Sequence, residues 1–228
     1  MRILALETTE MAGSLAAMHD GKLLAELELD PRQRTAQSLA PGMKTLLAKV
    51  AWRPADVELV AVTIGPGSFT GLRLGVTTAK TFAYALGAEL LGVDTLETIA
   101  AAAPPQVDAL AVAVDAQRGQ VVAGSFRRQD DGWFRPDATA ELIDVESWLA
   151  GLRGGTFVSG PVLRKLLDRL PKGVTPVDRQ LWRPRASTVA RLARRDYEAG
   201  RRDDVWTLVP RYSRPSAAEE KLQDRGKP

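Results

Sequence analysis

The first hundred residues alternate short apolar runs with longer amphipathic stretches. Residues 2–6 and 13–18 are apolar runs, and residues 22–29 alternate apolar and polar positions, which is typical of β-strands. Asp20 and Gly21 lie between the second and third runs, and Asp-Gly is a preferred two-residue hairpin turn because both central residues need positive φ. We therefore expect the chain to open with three strands, the last two joined as a hairpin.

Helical spacing follows this hairpin. A helix is predicted from near Thr35, because apolar residues then recur on one stripe at 3.6-residue spacing. A second helix is predicted at about residues 70–86, between strands at 58–64 and 89–93. The stripe of the first helix consists of Leu39, Met43, Leu46, Leu47 and Val50.

The middle of the chain repeats the opening. Residues 109–114 form an apolar run that ends in Asp115, as the first run ends in Glu7, and a second strand is predicted at 120–127. The alanine- and proline-rich stretch 100–105 separates the halves. We therefore expect an α/β protein of two lobes, residues 1–100 and 101–228, the second a degenerate repeat of the first. Further helices are predicted at residues 145–152, 162–170 and 187–199, and a strand at 156–159.

Composition removes several classes of chemistry. The chain has no cysteine and one histidine, His19, so it offers neither a thiolate nucleophile nor a two-histidine metal site. His19 beside the Asp20–Gly21 turn is expected to be exposed. No apolar run approaches the roughly 20 residues of a membrane span, and 45% apolar with 26% charged residues is typical of a globular protein. We expect a cytoplasmic protein that binds no membrane, and a net charge of +3 is compatible with a nucleic-acid neighbour.

The densest glycine segment, TIGPGSFTGLRLG at residues 63–75, joins a predicted strand to a predicted helix. It matches neither the dinucleotide fingerprint nor the nucleoside-triphosphate loop. Two interpretations stay open and are equally favoured. The loop could bind an anion on backbone amides at the helix start, or the glycines could let the chain turn sharply, with Ser68 or Thr70 as the helix cap. The candidate anion or nucleotide loop consists of Gly65, Gly67, Ser68 and Thr70, with the strand-end acids Glu7 and Asp115.

The helix after this loop has two packing faces. One stripe is apolar and suited to its own sheet, and the neighbouring stripe contains Gly71, Gly75, Thr78, Phe82 and Ala85. Small residues one turn apart let another helix approach closely, and Phe82 offers an aromatic anchor. Such a helix is either buried inside its own domain or shared with a partner.

Several motifs, in order along nearly the whole chain, resemble one family. They are ILALETT at residues 3–9, TIGPGSFTGLRLGVTTAK at 63–80, DAQRG at 115–119, VSGP at 158–161 and PRYSRPSAAEE at 210–220. The chain is similar to the TsaB family, the dimerisation subunit of the bacterial machinery that makes threonylcarbamoyladenosine beside the anticodon in tRNA, once labelled glycoprotease-like.

The resemblance implies the actin/Hsp70/sugar-kinase fold of two related lobes and a non-catalytic role without a cofactor. It implies pairing through the N-terminal half with a TsaD-like catalytic paralogue that carries the metal and nucleotide, and recruitment of a TsaE-like ATPase. The isolated chain could also form a homodimer. The expected partner interface consists of Gly71, Gly75, Thr78 and Phe82 with Leu39 and Met43.

This chain departs from the family pattern at two places. Thr35-Ala36-Gln37 stands where many relatives have a His-Ser-Glu-like segment. The first phosphate motif of the fold is reduced to Glu7-Thr8-Thr9, without the glycine that lets phosphate approach the backbone. These departures favour shape and partner docking over nucleotide binding for the glycine segment.

Two alternatives accompany this interpretation. An ATP-binding phosphotransfer enzyme or hydrolase of the same fold would use Glu7 and Asp115 around Mg²⁺. Contact with tRNA is expected to be indirect or weak, because acidic residues dilute the basic C-terminal region and helix 187–199 has the pattern of a solvated helix. The arginines of that region are Arg183, Arg185, Arg191, Arg194, Arg195, Arg201 and Arg202.

Overall fold

The computed structural model describes residues 1–214 of the 228-residue chain. The end of the 210–220 motif therefore lies outside the described residues. Within residues 1–214, no helix is long and apolar enough to cross a membrane.

The N-terminal sheet has five strands in the order β3-β2-β1-β4-β5. The first three are antiparallel neighbours, whereas β4 pairs parallel with both β1 and β5. The β2–β3 turn has positive φ at Asp20 (48°) and Gly21 (82°), which confirms the predicted hairpin. The strands are β1 (Arg2–Glu7), β2 (Ser14–His19), β3 (Lys22–Glu28), β4 (Leu59–Gly65) and β5 (Glu89–Asp94).

The second sheet has the order β11-β10-β6-β7-β8, and β9 pairs with β7 beside β8. Here too the opening pair, β6 and β7, is antiparallel, and β10 and β11 run parallel to β6. Both sheets thus follow one connectivity, and the fold is a two-lobed α/β fold with one sheet in each lobe. The strands are β6 (Ala109–Asp115), β7 (Gln120–Arg128), β8 (Phe134–Pro136), β9 (Glu141–Asp144), β10 (Phe157–Ser159) and β11 (Thr175–Pro176).

The helices lie where apolar periodicity predicts them, with some additions. The predicted helix 162–170 is a single α-turn followed by a 3₁₀ turn at Leu167–Arg169, and a short helix after β5 was not predicted. The helices are α1 (Thr35–Lys49), α2 (Phe69–Leu86), α3 (Thr95–Ala100), α4 (Val145–Gly151), α5 (Leu163–Leu166) and α6 (Ala186–Glu198).

The last helix crosses back to the first lobe. Helices α1 and α2 cover one face of the N-terminal sheet, and α6 covers the other face with Val189, Leu192 and Ala193 packed against Ile3 and Met18. The expected division at residue 100 therefore needs correction. The helix predicted to belong to the second lobe completes the core of the first, because its apolar stripe covers that side of the sheet.

Candidate functional site

The glycine loop between β4 and α2 is filled by the turn that follows β1. A Cβ atom on Gly71 would lie 1.9 Å from the Thr8 carbonyl oxygen, and one on Gly75 would lie 2.2 Å from Thr8 Oγ1. Thr8 Oγ1 donates a hydrogen bond to the Gly71 carbonyl oxygen at 2.8 Å. A Cβ atom on Gly67 would lie 2.5 Å from Thr9 Cβ. These three glycines therefore make room for Thr8 and Thr9 of the same lobe.

The other side of the loop is covered from the C-terminal end of the chain. Gly65 has φ of 123°, and a Cβ there would lie 2.3 Å from the Arg211 carbonyl oxygen. The Arg211 N–H donates to the Ile64 carbonyl oxygen at 2.6 Å. The Ser68 hydroxyl caps α2 by accepting a hydrogen bond from the Gly71 N–H at 3.3 Å. Of the two expected helix caps, Ser68 and Thr70, the structure therefore uses Ser68. Ser68 and Thr70 are exposed at the start of α2.

Glu7, at the end of β1, is completely buried. Its Oε1 accepts hydrogen bonds from the backbone N–H and hydroxyl of Thr9, while Oε2 is buried with no hydrogen-bond partner among the described residues. Burial raises the pKa of Glu7 to about 8, because the charged carboxylate loses its hydration, and the Thr9 hydrogen bonds only partly offset this. Glu7 is therefore mostly neutral at neutral pH, and a neutral carboxyl group is a poor metal ligand.

Asp115, at the end of β6, has a different environment. Its carboxylate is one-third exposed and forms an ion pair with Lys165. Partial burial works to raise the pKa of Asp115, but the hydrogen bonds from Lys165 and the Gln117 N–H outweigh it, and the pKa lies below its ordinary value. The adjacent Arg164 reaches across to Glu10, with 3.1 Å between Nη1 and Oε2. Consecutive residues of α5 thus link the two strand-end turns.

This geometry leaves the carboxyl groups of Glu7 and Asp115 little capacity to bind a metal ion. Asp115 is held by a lysine, and Glu7 is enclosed by Thr9. Across residues 1–214, no group of three or more histidine, aspartate or glutamate side chains is arranged to hold a metal ion. His19 is 43% exposed beside the hairpin turn, as expected.

Four of the six residues expected at the partner interface are buried inside their own lobe. Leu39 and Met43 are 3% and 5% exposed and belong to the core between α1 and the sheet. Gly71 and Gly75 are covered by Thr8. For these four the expectation needs correction, because the space beside them is already occupied. Thr78 and Phe82 are half-buried, and Phe82 packs against the core cluster of its own lobe.

A second surface on α2 has no counterpart in the sequence interpretation. Residues 203–212, here called the C-terminal strap, run along the helix. Lys80 Nζ donates to the Leu208 carbonyl oxygen at 2.9 Å, and the Tyr84 and Trp206 rings meet edge to face with centroids 5.1 Å apart. Tyr84 and Trp206 nevertheless remain 65% and 71% exposed. The sequence signal for this surface is a pair of aromatic residues, Trp206 and Tyr212, in a charged C-terminal stretch.

The basic C-terminal region is largely neutralised by neighbouring carboxylates. The expectation of a solvated arginine face needs correction at Arg195, whose side chain is 17% exposed. Among the described residues, Arg191 is the member of the set with no carboxylate within ion-pair distance, and it donates instead to the Ala101 carbonyl oxygen at 2.9 Å. The ion pairs are Arg183–Glu28, Arg185–Glu26, Arg194–Glu198, Arg195–Glu97, Arg201–Asp196 and Arg202–Glu89.

Comparison with known proteins identifies the family. The chain is 32% identical to the tRNA threonylcarbamoyladenosine biosynthesis protein TsaB of Escherichia coli K12, over 97% of this chain and 98% of that protein. The chain belongs to the TsaB family. The TsaB protein of Bacillus subtilis 168 is 29% identical to this TsaB-family chain, over 97% of each.

Two further findings agree with this assignment. The family model described as TsaD, tRNA N6-adenosine threonylcarbamoyltransferase, matches residues 30–166. The solved structure of YeaZ from Pseudomonas aeruginosa superposes with a TM-score of 0.81 at 26% identity, covering 92% of this TsaB-family chain and 99% of YeaZ. The shared fold thus extends across both lobes.

Proposed function

We propose that this chain is a non-catalytic subunit in the biosynthesis of threonylcarbamoyladenosine in tRNA. It pairs with a metal-dependent catalytic paralogue of the TsaD type and stabilises it. Membership of the TsaB family supports the pathway, since the E. coli and B. subtilis relatives are named for that biosynthesis. The match of a TsaD-type model to residues 30–166 supports a paralogous relationship with the proposed partner.

One observation carries the non-catalytic role. Where an active member of such a fold needs open backbone beside the first strand to receive phosphate, this chain places Thr8 and Thr9 in the notch of its own glycine loop. The Gly71 carbonyl oxygen accepts from Thr8, and the Ser68 N–H donates to the Thr9 carbonyl oxygen at 3.0 Å. A phosphate at this place would have to displace the β1–β2 turn, together with these hydrogen bonds.

Helix α2 is the element proposed to meet the partner. Its inner side is fixed to the sheet by Leu72, Val76 and Ala79, which are buried, so its outer side is held rigidly. Thr78 and Phe82 keep part of their surface accessible to a partner, and small residues such as threonine allow a second helix to approach closely. The same surface would serve a homodimer of the isolated chain.

The pairing is tested by Thr78→Arg, with Thr139→Arg as the matched control. Both residues are threonines with solvent access, but Thr139 lies in the second lobe. An arginine at Thr78 would hold apart two helices that pack at roughly 8–10 Å, so we expect the affinity for the TsaD-type paralogue to fall at least tenfold. Size-exclusion chromatography and calorimetry with the purified paralogue measure this. An unchanged complex with Thr78→Arg, or equal losses in both variants, would show that α2 is not the interface.

The enzyme alternative gains no support from the strand-end acids, because Glu7 is neutral and enclosed and Asp115 is paired with Lys165. The isolated chain is expected to bind MgATP with no better than millimolar affinity in calorimetry. Clear micromolar binding, or turnover of nucleotide by the chain alone, would restore that alternative. The proposed cytoplasmic complex also includes recruitment of a TsaE-like ATPase, with tRNA contacted indirectly or weakly.

A further inference from the structure

A cavity of about 280 Å³ lies between helix α6, the β2–β3 hairpin and the turn between β7 and β8. Arg191, Arg194 and Arg195 line one side and Trp133 lines another, and the single carboxylate in the wall is that of Glu198. The cavity is distant in the fold from the α2 surface, because α2 and α6 cover opposite faces of the N-terminal sheet.

The donors in this cavity exceed the acceptors that the protein supplies. Glu198 is engaged by Arg194 Nε at 2.7 Å. Arg195 uses Nε on Asp196 and Nη2 on Glu97 and Asp196, but its Nη1 is buried with no acceptor among the described residues. Within residues 1–214, Arg191 has only the Ala101 carbonyl oxygen as a hydrogen-bond acceptor, although a guanidinium carries five N–H donors.

The arginine side chains are also held in place. The Arg191 and Arg195 guanidinium groups lie over the Trp133 ring, 5.7 Å and 5.1 Å from its centroid. Arg194 lies directly against Gly21, where a Cβ would come 1.5 Å from Nη1. Side chains that are already ordered lose little rotamer entropy when a ligand binds, so the donors are preorganised.

We propose that this cavity binds a phosphate group. Planar guanidinium forks match phosphate oxygens bidentately, and an oxyanion in the cavity supplies acceptors for the Arg191 donors that the described residues leave without one. The volume is just below the roughly 300 Å³ of the smallest drug-sized pockets, so the cavity accepts a phosphate group with a small substituent rather than a whole nucleotide. The phosphate comes either from a small molecule or from an RNA backbone.

The test compares Arg191→Gln with Arg153→Gln. Arg153 is an exposed arginine that donates to a carbonyl oxygen in the last turn of α4, at 2.8 Å from Ala150 O, much as Arg191 donates to Ala101 O after α3. Both variants lose one charge and one hydrogen bond to a helix end, but Arg153 does not line the cavity. Inorganic phosphate, AMP and a short RNA hairpin are titrated into each full-length protein at low salt, and binding is followed by calorimetry and by nuclear magnetic resonance of the Trp133 indole.

We expect saturable phosphate binding that is weakened at least tenfold in Arg191→Gln and changes less than twofold in Arg153→Gln, since a hydrogen bond to a charged group contributes about 1.5–3 kcal/mol. Binding of phosphate that is tighter than binding of AMP and of the hairpin would assign the site to small phosphates. Much tighter, salt-dependent binding of the hairpin would assign it to RNA. No saturable binding by the unmodified chain, or equal losses in both variants, overturns the proposal.

If Arg191→Gln fails to fold, Arg194→Gln removes a second guanidinium from the same wall and is read against the same control. Thr78→Arg should keep full phosphate binding, so failure of this site and failure of the pairing surface are distinguishable.

Discussion

The strand that opens each sheet ends in a carboxylate, and the two carboxylates meet opposite environments. Glu7 is buried with one oxygen unpaired and a raised pKa, whereas Asp115 is solvated, paired with Lys165 and has a lowered pKa. The strands occupy equivalent positions in sheets of one connectivity. Equivalent topology therefore does not preserve the electrostatics of a site, which are set by the residues that close over it.

The corner after the strand that pairs parallel with the first strand of each lobe shows the same contrast. Gly65–Pro66 follows β4 and Gly160–Pro161 follows β10, and the two glycines have φ of 123° and 126°. A Cβ on Gly160 would lie 1.9 Å from the Ala113 carbonyl oxygen, so both corners press against neighbouring backbone. The first corner leads into α2 with 18 residues, whereas the second leads into α5 with 4. The first lobe thus has a long helix after this corner, whereas the second lobe has a single helical turn.

The largest effect is expected from adding a side chain at Gly71, in the space that the Thr8 backbone occupies. In Gly71→Ala the new Cβ would overlap backbone, which cannot rotate away as a side chain can, so we expect a loss of about 3 kcal/mol in the free energy of unfolding. Gly151→Ala is the control in the second lobe, because a Cβ atom added at Gly151 would have no other atom within 4 Å. Alanine there should leave stability unchanged or raise it by up to about 1 kcal/mol. Urea unfolding of both variants measures this, and equal effects would show that the notch is not tightly filled.

A smaller effect concerns the buried carboxyl group of Glu7. Its folded-state pKa of about 8 exceeds the ordinary value of 4.5, so the unfolded chain releases this proton first and the stability contributed by Glu7 falls as pH rises between these values. Glu7→Gln has no such proton. Relative to the variant, the original chain should therefore lose about 2 kcal/mol between about pH 5.5 and about pH 7. Urea unfolding at both pH values checks this, and a pH-independent difference would mean that Glu7 is ionised in the folded protein.

The smallest effect, of opposite sign, is expected at Asp115. Its lowered pKa means that the carboxylate stabilises the fold above the ordinary value of 3.8, and that this contribution disappears as pH falls through the folded-state pKa. Because Asp115 and Lys165 are 34% and 71% exposed, Asp115→Asn should cost less than about 1 kcal/mol at neutral pH. The difference should shrink as pH falls below 3.8, and it should also shrink in high salt. A loss as large as that of a buried pair would contradict this account of the ion pair.

Much of the fold could be predicted from the sequence, because apolar periodicity reports directly which face of an element is buried. The hairpin at Asp20–Gly21, the long strand β4 and the helix α2 all follow from such patterns. What periodicity does not report is the surface against which a face packs. Leu39 and Met43 are predicted at the partner interface but lie in the lobe's own core, and the stripe of α6, a helix predicted to belong to the second lobe, packs on the first sheet.

The candidate site was harder to predict for a similar reason. A glycine shows that room is needed but not what fills it, so the loop at residues 63–75 was compatible with either phosphate or backbone. The groups that fill it, Thr8 and Arg211, come from opposite ends of the described chain. A sequence signal for the equivalent corners is that, in each half, Gly-Pro follows the strand that pairs parallel with the first one, at residues 65–66 and 160–161.

The return of α6 to the first sheet has a consequence for biosynthesis. While a ribosome is still extending the chain, one face of the N-terminal sheet stays uncovered until residues 186–198 have emerged, although its own strands were made long before. The core of the half that is made first is therefore completed last. A chain that terminates before residue 186 would leave the apolar residues of this sheet face exposed, and the pairing proposed for α2 would then rest on an incomplete lobe.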